Sequence, residues 1–165
     1  MSAEKIKVPS VLFVCLGNIC RSPTAHGVFE HLVEQAGLTG KIQIDSAGVA
    51  DWHTGKAPDK RSQQYAAKRG YDLSHLRARQ VVLEDFTTFD LLLAMDGNNL
   101  KHLLEMSPPE HRHKVKLFLE FAEGVNEREV PDPYYGEGEG FELVLDLVDN
   151  ACQGLLNFFR RQYAL

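Results

Sequence analysis

Apolar positions along the chain fall into two alternating patterns. Short runs that read as strands form the first. Val8 to Val14 ends in Val11-Leu12-Phe13-Val14, Ile42 to Ala47 follows it, Leu91-Leu92-Leu93-Ala94-Met95 is apolar throughout, and Val115 to Phe121 is a last candidate. The continuous apolar character of the first and third suits strands buried on both faces of a parallel sheet. The second pattern is helical. Ala25, Val28, Phe29, Leu32, Val33 and Ala36 mark one face of a helix that Ser22 caps, Pro23 opens and Gly37 ends. A helix is predicted over Asp59 to Arg69, closed by Gly70. A short one carries Leu100, Leu103 and Leu104 behind a cap at Asn98 or Asn99, and Pro108-Pro109 ends it. Phe141, Val144, Leu145, Val148, Cys152, Leu155, Leu156 and Phe159 describe a long amphipathic helix. Gly48 to Pro58 and Glu123 to Gly140 read as loops, and the acidic run from Glu120 to Glu142 as a solvated surface with no partner. Strands alternating with helices predict an α/β sandwich with a mainly parallel sheet, over residues 1–165 as one domain with residues 1–7 frayed. Ligands of such folds bind at the carboxyl ends of strands, where both Cys15 and Asp96 fall.

Composition narrows the class. The 165 residues are 44% hydrophobic and 25% charged, which describes a globular chain and excludes disorder, collagen and coiled coil. A net charge of −5 argues against a nucleic-acid partner, though a local site on an acidic protein can still be positive. No apolar run reaches the length of a membrane span, and the first residues lack a signal-peptide core. Three cysteines are too few, and odd in number, for a disulfide framework, so a cytoplasmic setting is expected.

The chemistry concentrates in Cys15-Leu16-Gly17-Asn18-Ile19-Cys20-Arg21-Ser22-Pro23. A cysteine six residues before an arginine is a weak signal as bare spacing. Between a strand end and a helix start it is stronger, because consecutive backbone N–H groups there can converge on one anion. The helix dipole and a nearby guanidinium favour a thiolate at Cys15. Arg21 is suited to clamp two phosphoryl oxygens, and the Ser22 hydroxyl to donate to the sulfur.

At these residues the chain resembles the low-molecular-weight protein tyrosine phosphatases. The resemblance covers most of the chain, through Asp45-Ser46-Ala47-Gly48, Trp52-His53-x-Gly55, Ser74-His75 with Ala78-Arg79, Met95-Asp96 and Asp132-Pro133-Tyr134-Tyr135, in the family's order. It implies a phosphatase I-like, three-layer α/β sandwich with a four-stranded parallel sheet. It also implies that Cys15 attacks phosphorus, that Arg21 and the amides of Leu16, Gly17, Asn18, Ile19 and Cys20 bind the phosphoryl group, and that Asp132 is the general acid and base. Asn18, Ser22, Ser46 and His75 correspond to a hydrogen-bond network that holds the loop. The expected substrates are phosphotyrosine proteins, with inorganic phosphate as product and no metal or other cofactor. A monomer or weak dimer is expected.

Other readings stand beside these. Cys20 is either a packing residue or a redox partner of Cys15. Trp52 is either a core plug or an aromatic wall of the substrate cleft, opposite Tyr134 or Tyr135. An arsenate reductase of the same fold needs a relay pair of cysteines, and Cys152 alone does not supply one. Phosphoarginine-specific relatives carry Thr where this loop has Ile19, which favours phosphotyrosine. A silent phosphotyrosine-binding module would normally lack the nucleophile or the acid.

Overall fold

The four strand candidates pair into one parallel sheet. In the computed structural model, which describes residues 8–134 and 138–165, these are β1 (Ser10–Cys15), β2 (Gln43–Gly48), β3 (Leu91–Ala94) and β4 (Val115–Leu117), in the order β2-β1-β3-β4. Side chains of a strand alternate between faces. Val11, Phe13 and Cys15 of β1, with Leu91 and Leu93 of β3, therefore enter one buried cluster, while Leu12, Val14, Leu92 and Ala94 enter another. The first cluster is filled from α1 (Arg21–Gln35), α2 (Lys60–Lys68) and α5 (Gly138–Tyr163) by residues such as Val28, Phe29, Ala66, Val148 and Leu155. Phe13 lies at its centre, edge-on to Phe29 at 5.9 Å and to Phe118 at 5.3 Å. The second cluster is covered by α3 (Glu84–Thr88) and α4 (Gly97–Met106) through Phe86 and Leu103. The result is the expected three-layer sandwich.

Sheet order sets the position of the site. From β1 the chain moves outward to β2, then returns to β3 and moves outward the other way to β4. The carboxyl ends of β1 and β3 thus flank a topological switch point, where open α/β sheets bind their ligands. Cys15 closes β1, and Asp96 lies two residues past β3.

Several helix ends differ from expectation. Cys20, not Ser22, occupies the cap position of α1 and makes no side-chain capping bond, and the Ser22 hydroxyl, inside the first turn, faces Cys15. The cap of α4 is Asp96, whose carboxylate accepts from Asn99 N–H at 2.8 Å, rather than Asn98 or Asn99. Asp59 caps α2 by accepting from the N–H groups of Arg61 and Ser62. The last apolar run gives only three residues of strand before Phe118–Phe121 turns into a 3₁₀ helix that packs on α5. Gly154 permits that packing, since a Cβ there would stand 1.8 Å from the Phe121 carbonyl oxygen. Residues of the acidic run make contacts within the chain. Glu142 pairs with Arg69 at 2.6 Å, and Glu129 accepts from the Gly97 N–H at the start of α4.

Candidate active site

Residues 16–20 connect β1 to α1 in a tight loop. Among the described residues, no N–H group from Leu16 to Cys20 has an acceptor within the protein. Unsatisfied N–H groups ahead of a helix N-terminus form a seat for an anion. The curl is held by Asn18, which adopts the left-handed conformation at φ 56°. Its Oδ1 accepts from the Arg79 backbone N–H at 3.1 Å and its Nδ2 donates to Ser22 Oγ at 2.7 Å. Ser22 Oγ then stands 3.0 Å from Cys15 Sγ and 3.4 Å from the Ala47 carbonyl. Since that oxygen already accepts from Asn18, its own proton is available to the sulfur, the shorter of the two approaches. The end of β2 closes beneath the loop through Val49 N–H to Cys15 O and Ala50 N–H to Leu16 O. Gly48 makes this possible, because a Cβ there would meet Leu16 O at 2.8 Å and Gly17 C at 3.0 Å.

Arg21 is 3% exposed and reaches both the turn after β3 and the segment that carries Val130 and Asp132. Its Nη1 donates to Asp96 Oδ2 at 2.6 Å and to the Val130 carbonyl at 3.0 Å, and its Nη2 lies 3.6 Å from Asp132 Oδ2. Burial alone would lower its pKa, but Cys15, Asp96 and Asp132 together outweigh that and hold the guanidinium above its ordinary value. Cys15, Arg21 and Asp132 line one pocket, with Leu16, Gly17, Ile19 and Cys20 from the loop and Trp52, His53 and Tyr134 around it.

Trp52 is 66% exposed and so stands at the pocket mouth; it does not plug the core. The rings of His53 and Tyr134 approach to 6.3 Å between centroids. Tyr135 lies outside the described residues. Cys20 and Cys15 are both buried free thiols, and burial pushes the Cys20 thiol up to about 12 despite a hydrogen bond with Ser62. The expected loop network is divided. Asn18 and Ser22 bind the loop, but Ser46 Oγ meets His26 Nδ1 at 2.8 Å, not His75. His75 is exposed and contacts Glu30 Oε1 at 3.3 Å, the same oxygen that His26 Nε2 approaches at 3.3 Å. The neutral tautomer that fits carries its proton on Nε2, facing Glu30, and accepts the Ser46 proton at Nδ1. Burial lowers the His26 pKa; Glu30 and Asp45 oppose the shift, and His75 and Arg79 add to it.

This arrangement has clear relatives. The family model for low molecular weight phosphotyrosine protein phosphatases matches residues 10–164. The chain belongs to this family. It is 46% identical over 141 residues to the low molecular weight phosphotyrosine protein phosphatase of Schizosaccharomyces pombe, covering 84% of this chain and 90% of that one. Identity with the low molecular weight protein-tyrosine-phosphatase YfkJ of Bacillus subtilis is 40% over 156 residues, covering 94% and 99%. Its fold superposes with a TM-score of 0.90 and 38% identity on a crystal structure of a protein tyrosine phosphatase from Entamoeba histolytica with Hepes in the active site, covering 95% and 99% of the two chains.

Within this low molecular weight phosphatase fold, some residues that support the site had little sequence signal. His26 is one of seven scattered histidines, and only the juxtaposition of α1 with β2 brings it to Ser46. Arg61 sits in an ordinary polar helix start and is tied to the site through Tyr134, far away in sequence. Asp96 carried the better clue, a carboxylate just past a buried strand.

Proposed function

We propose that this phosphatase hydrolyses phosphotyrosine through a cysteinyl-phosphate on Cys15. The observation that carries the reading is the meeting of Cys15, Arg21 and Asp132 in one pocket beside unpaired loop amides. A phosphoryl group seated on those amides brings its phosphorus to the Cys15 sulfur. Arg21, already charged and buried, clamps the equatorial oxygens, where charge accumulates in the transition state. The sulfur forms a bond to phosphorus as the phenoxide departs, and Asp132 gives the departing oxygen a proton. Water then attacks the phosphoenzyme, Asp132 takes a proton from it, and the sulfur leaves with the Ser22 proton at hand to receive its charge. Trp52, His53 and Tyr134 around the mouth favour a long flat ester over phosphoserine, whose side chain is too short to reach the loop from a peptide on the rim. Ile19 in the loop supports phosphotyrosine over phosphoarginine.

The test is kinetic. Cys15→Ser and Arg21→Ala remove nearly all hydrolysis of an aryl phosphate while the fold persists. Asp132→Ala costs on the order of 10²–10⁴ in kcat/KM, most for poor leaving groups. Phosphoserine peptides turned over as fast as phosphotyrosine peptides would overturn the specificity reading, and phosphoenzyme formed by Cys15→Ser would overturn the nucleophile.

A further inference from the structure

The first turn of α2 touches both halves of the site. The Asp59 N–H donates to the Ile19 carbonyl of the anion loop at 2.8 Å, and Ser62 hydrogen-bonds Cys20. Between them Arg61 points the other way, toward the segment that carries Asp132. Its Nη2 donates to the Tyr134 carbonyl at 2.8 Å, and the guanidinium lies 5.8 Å from the Tyr134 ring centroid and 4.8 Å from that of Phe141. The Asp59 carboxylate grips the same guanidinium at 3.2 and 3.3 Å, so the fork is aimed before it meets Tyr134. Tyr134 N–H in turn donates to Asp132 Oδ1 at 3.0 Å, which orients that carboxylate and leaves Oδ2 toward Arg21. A continuous chain therefore runs from the anion loop through Asp59, Arg61 and Tyr134 to Asp132.

We infer that Arg61 is a positioning residue for the acid, tying the Asp132–Tyr134 segment to the anion loop so that the carboxyl stands over the leaving oxygen. This rests on Asp132 being the acid. A planar fork holds a carbonyl and a carboxylate at once, which a point charge does less well, and the aromatic faces of Tyr134 and Phe141 fix its plane. Misplacing a catalytic group by about 1 Å costs up to 10²-fold in rate. The cost falls only on steps that need the proton.

The experiment compares Arg61→Met, which keeps the aliphatic stem against Phe141 but removes the donors, with Asp132→Ala and the double variant. The readout is kcat/KM over a series of aryl phosphates of rising phenol pKa, since kcat/KM covers every step through phenoxide departure. The expected result is a loss of roughly 10–100-fold for the poorest leaving groups and under about threefold for the best. In the Asp132→Ala background, Arg61→Met should cost nothing further. Arg61→Lys should recover part of the deficit. Uniform loss across the series, no loss at all, or losses that multiply in the double variant would overturn the inference. If Asp132→Ala steepens the dependence and Arg61→Met does not, only the role of Arg61 fails; if Asp132→Ala leaves it flat, the acid itself is misassigned. Arg61→Lys serves as the test variant should Arg61→Met not fold.

Discussion

Asp96 serves two elements at once, and the two services can be separated. Its Oδ1 caps α4 at 2.8 Å from Asn99 N, while its Oδ2 meets the buried Arg21 at 2.6 Å. Asp96→Asn has one amide oxygen where the carboxylate has two: with that oxygen turned to cap α4, the NH2 faces Arg21 and the acceptor there is lost with the charge. A hydrogen bond to a charged group contributes about 1.5–3 kcal/mol, and that is the expected loss. It stays at the low side of the ~3–5 kcal/mol for stripping a buried charge of its partner, because Arg21 keeps the Val130 carbonyl and Asp132. For a chain of this size each kcal/mol moves Tm by roughly 2–4 °C, so Asp96→Asn should melt about 3–12 °C lower in phosphate-free buffer. Asp96→Ala, which also loses the cap, should fall further by about 1 kcal/mol or more. Saturating inorganic phosphate should narrow the gap between wild type and Asp96→Asn, since the bound anion supplies Arg21 with charge and no longer faces a carboxylate. Melting curves with and without phosphate read both effects. An Asn variant as stable as wild type without phosphate, or a gap just as wide with it, refutes the account of Arg21.

Other residues yield further expectations. Trp52→Ala should raise KM for aryl phosphates, or reorder them, while leaving a small alkyl phosphate nearly unchanged; equal effects on both would remove Trp52 from the cleft wall. His26 is buried with its pKa lowered, so the unfolded chain binds the extra proton first. Its contribution to stability is present above about pH 6.5 and is lost as pH falls toward the folded-state value. His26→Gln should flatten the dependence of Tm on pH just below 6.5, and an unchanged slope would show that His26 does not titrate there. Cys20, held as a thiol by burial, should capture an oxidised Cys15 slowly at neutral pH and about tenfold faster per pH unit above it. Mass mapping after peroxide, with Cys20→Ser as control, checks this; a rate indifferent to pH would point to another resolving group.

The centre of the sheet was legible because a strand buried on both faces is apolar nearly throughout, as β3 is, and β1 from Val11 onward. The short elements were not. In α3 the single turn buries only Asp85 and Phe86, and the 3₁₀ stretch Pro109–Lys114 buries nothing, so neither leaves a period to read. Caps were legible as residue types but not as choices: Asp96, Asn98 and Asn99 all suit a helix start, and the link to Arg21 selects Asp96. The site divides the same way. Cys15 and Arg21 declare themselves by flanking one loop, whereas the partner of Ser46 depends on how α1 lies against β2. Two histidines approach Glu30, and only the three-dimensional arrangement distinguishes His26, facing Ser46, from the exposed His75.

Arg21 and the Val130 carbonyl it grips lie 109 positions apart. At translation rates of 5–20 residues per second, the ribosome makes the arginine roughly 5–20 s before its acceptor. For that interval the arginine has neither its Val130 acceptor nor Asp132 beside it, so the full set of partners around this buried guanidinium can be assembled only after most of the chain has been made.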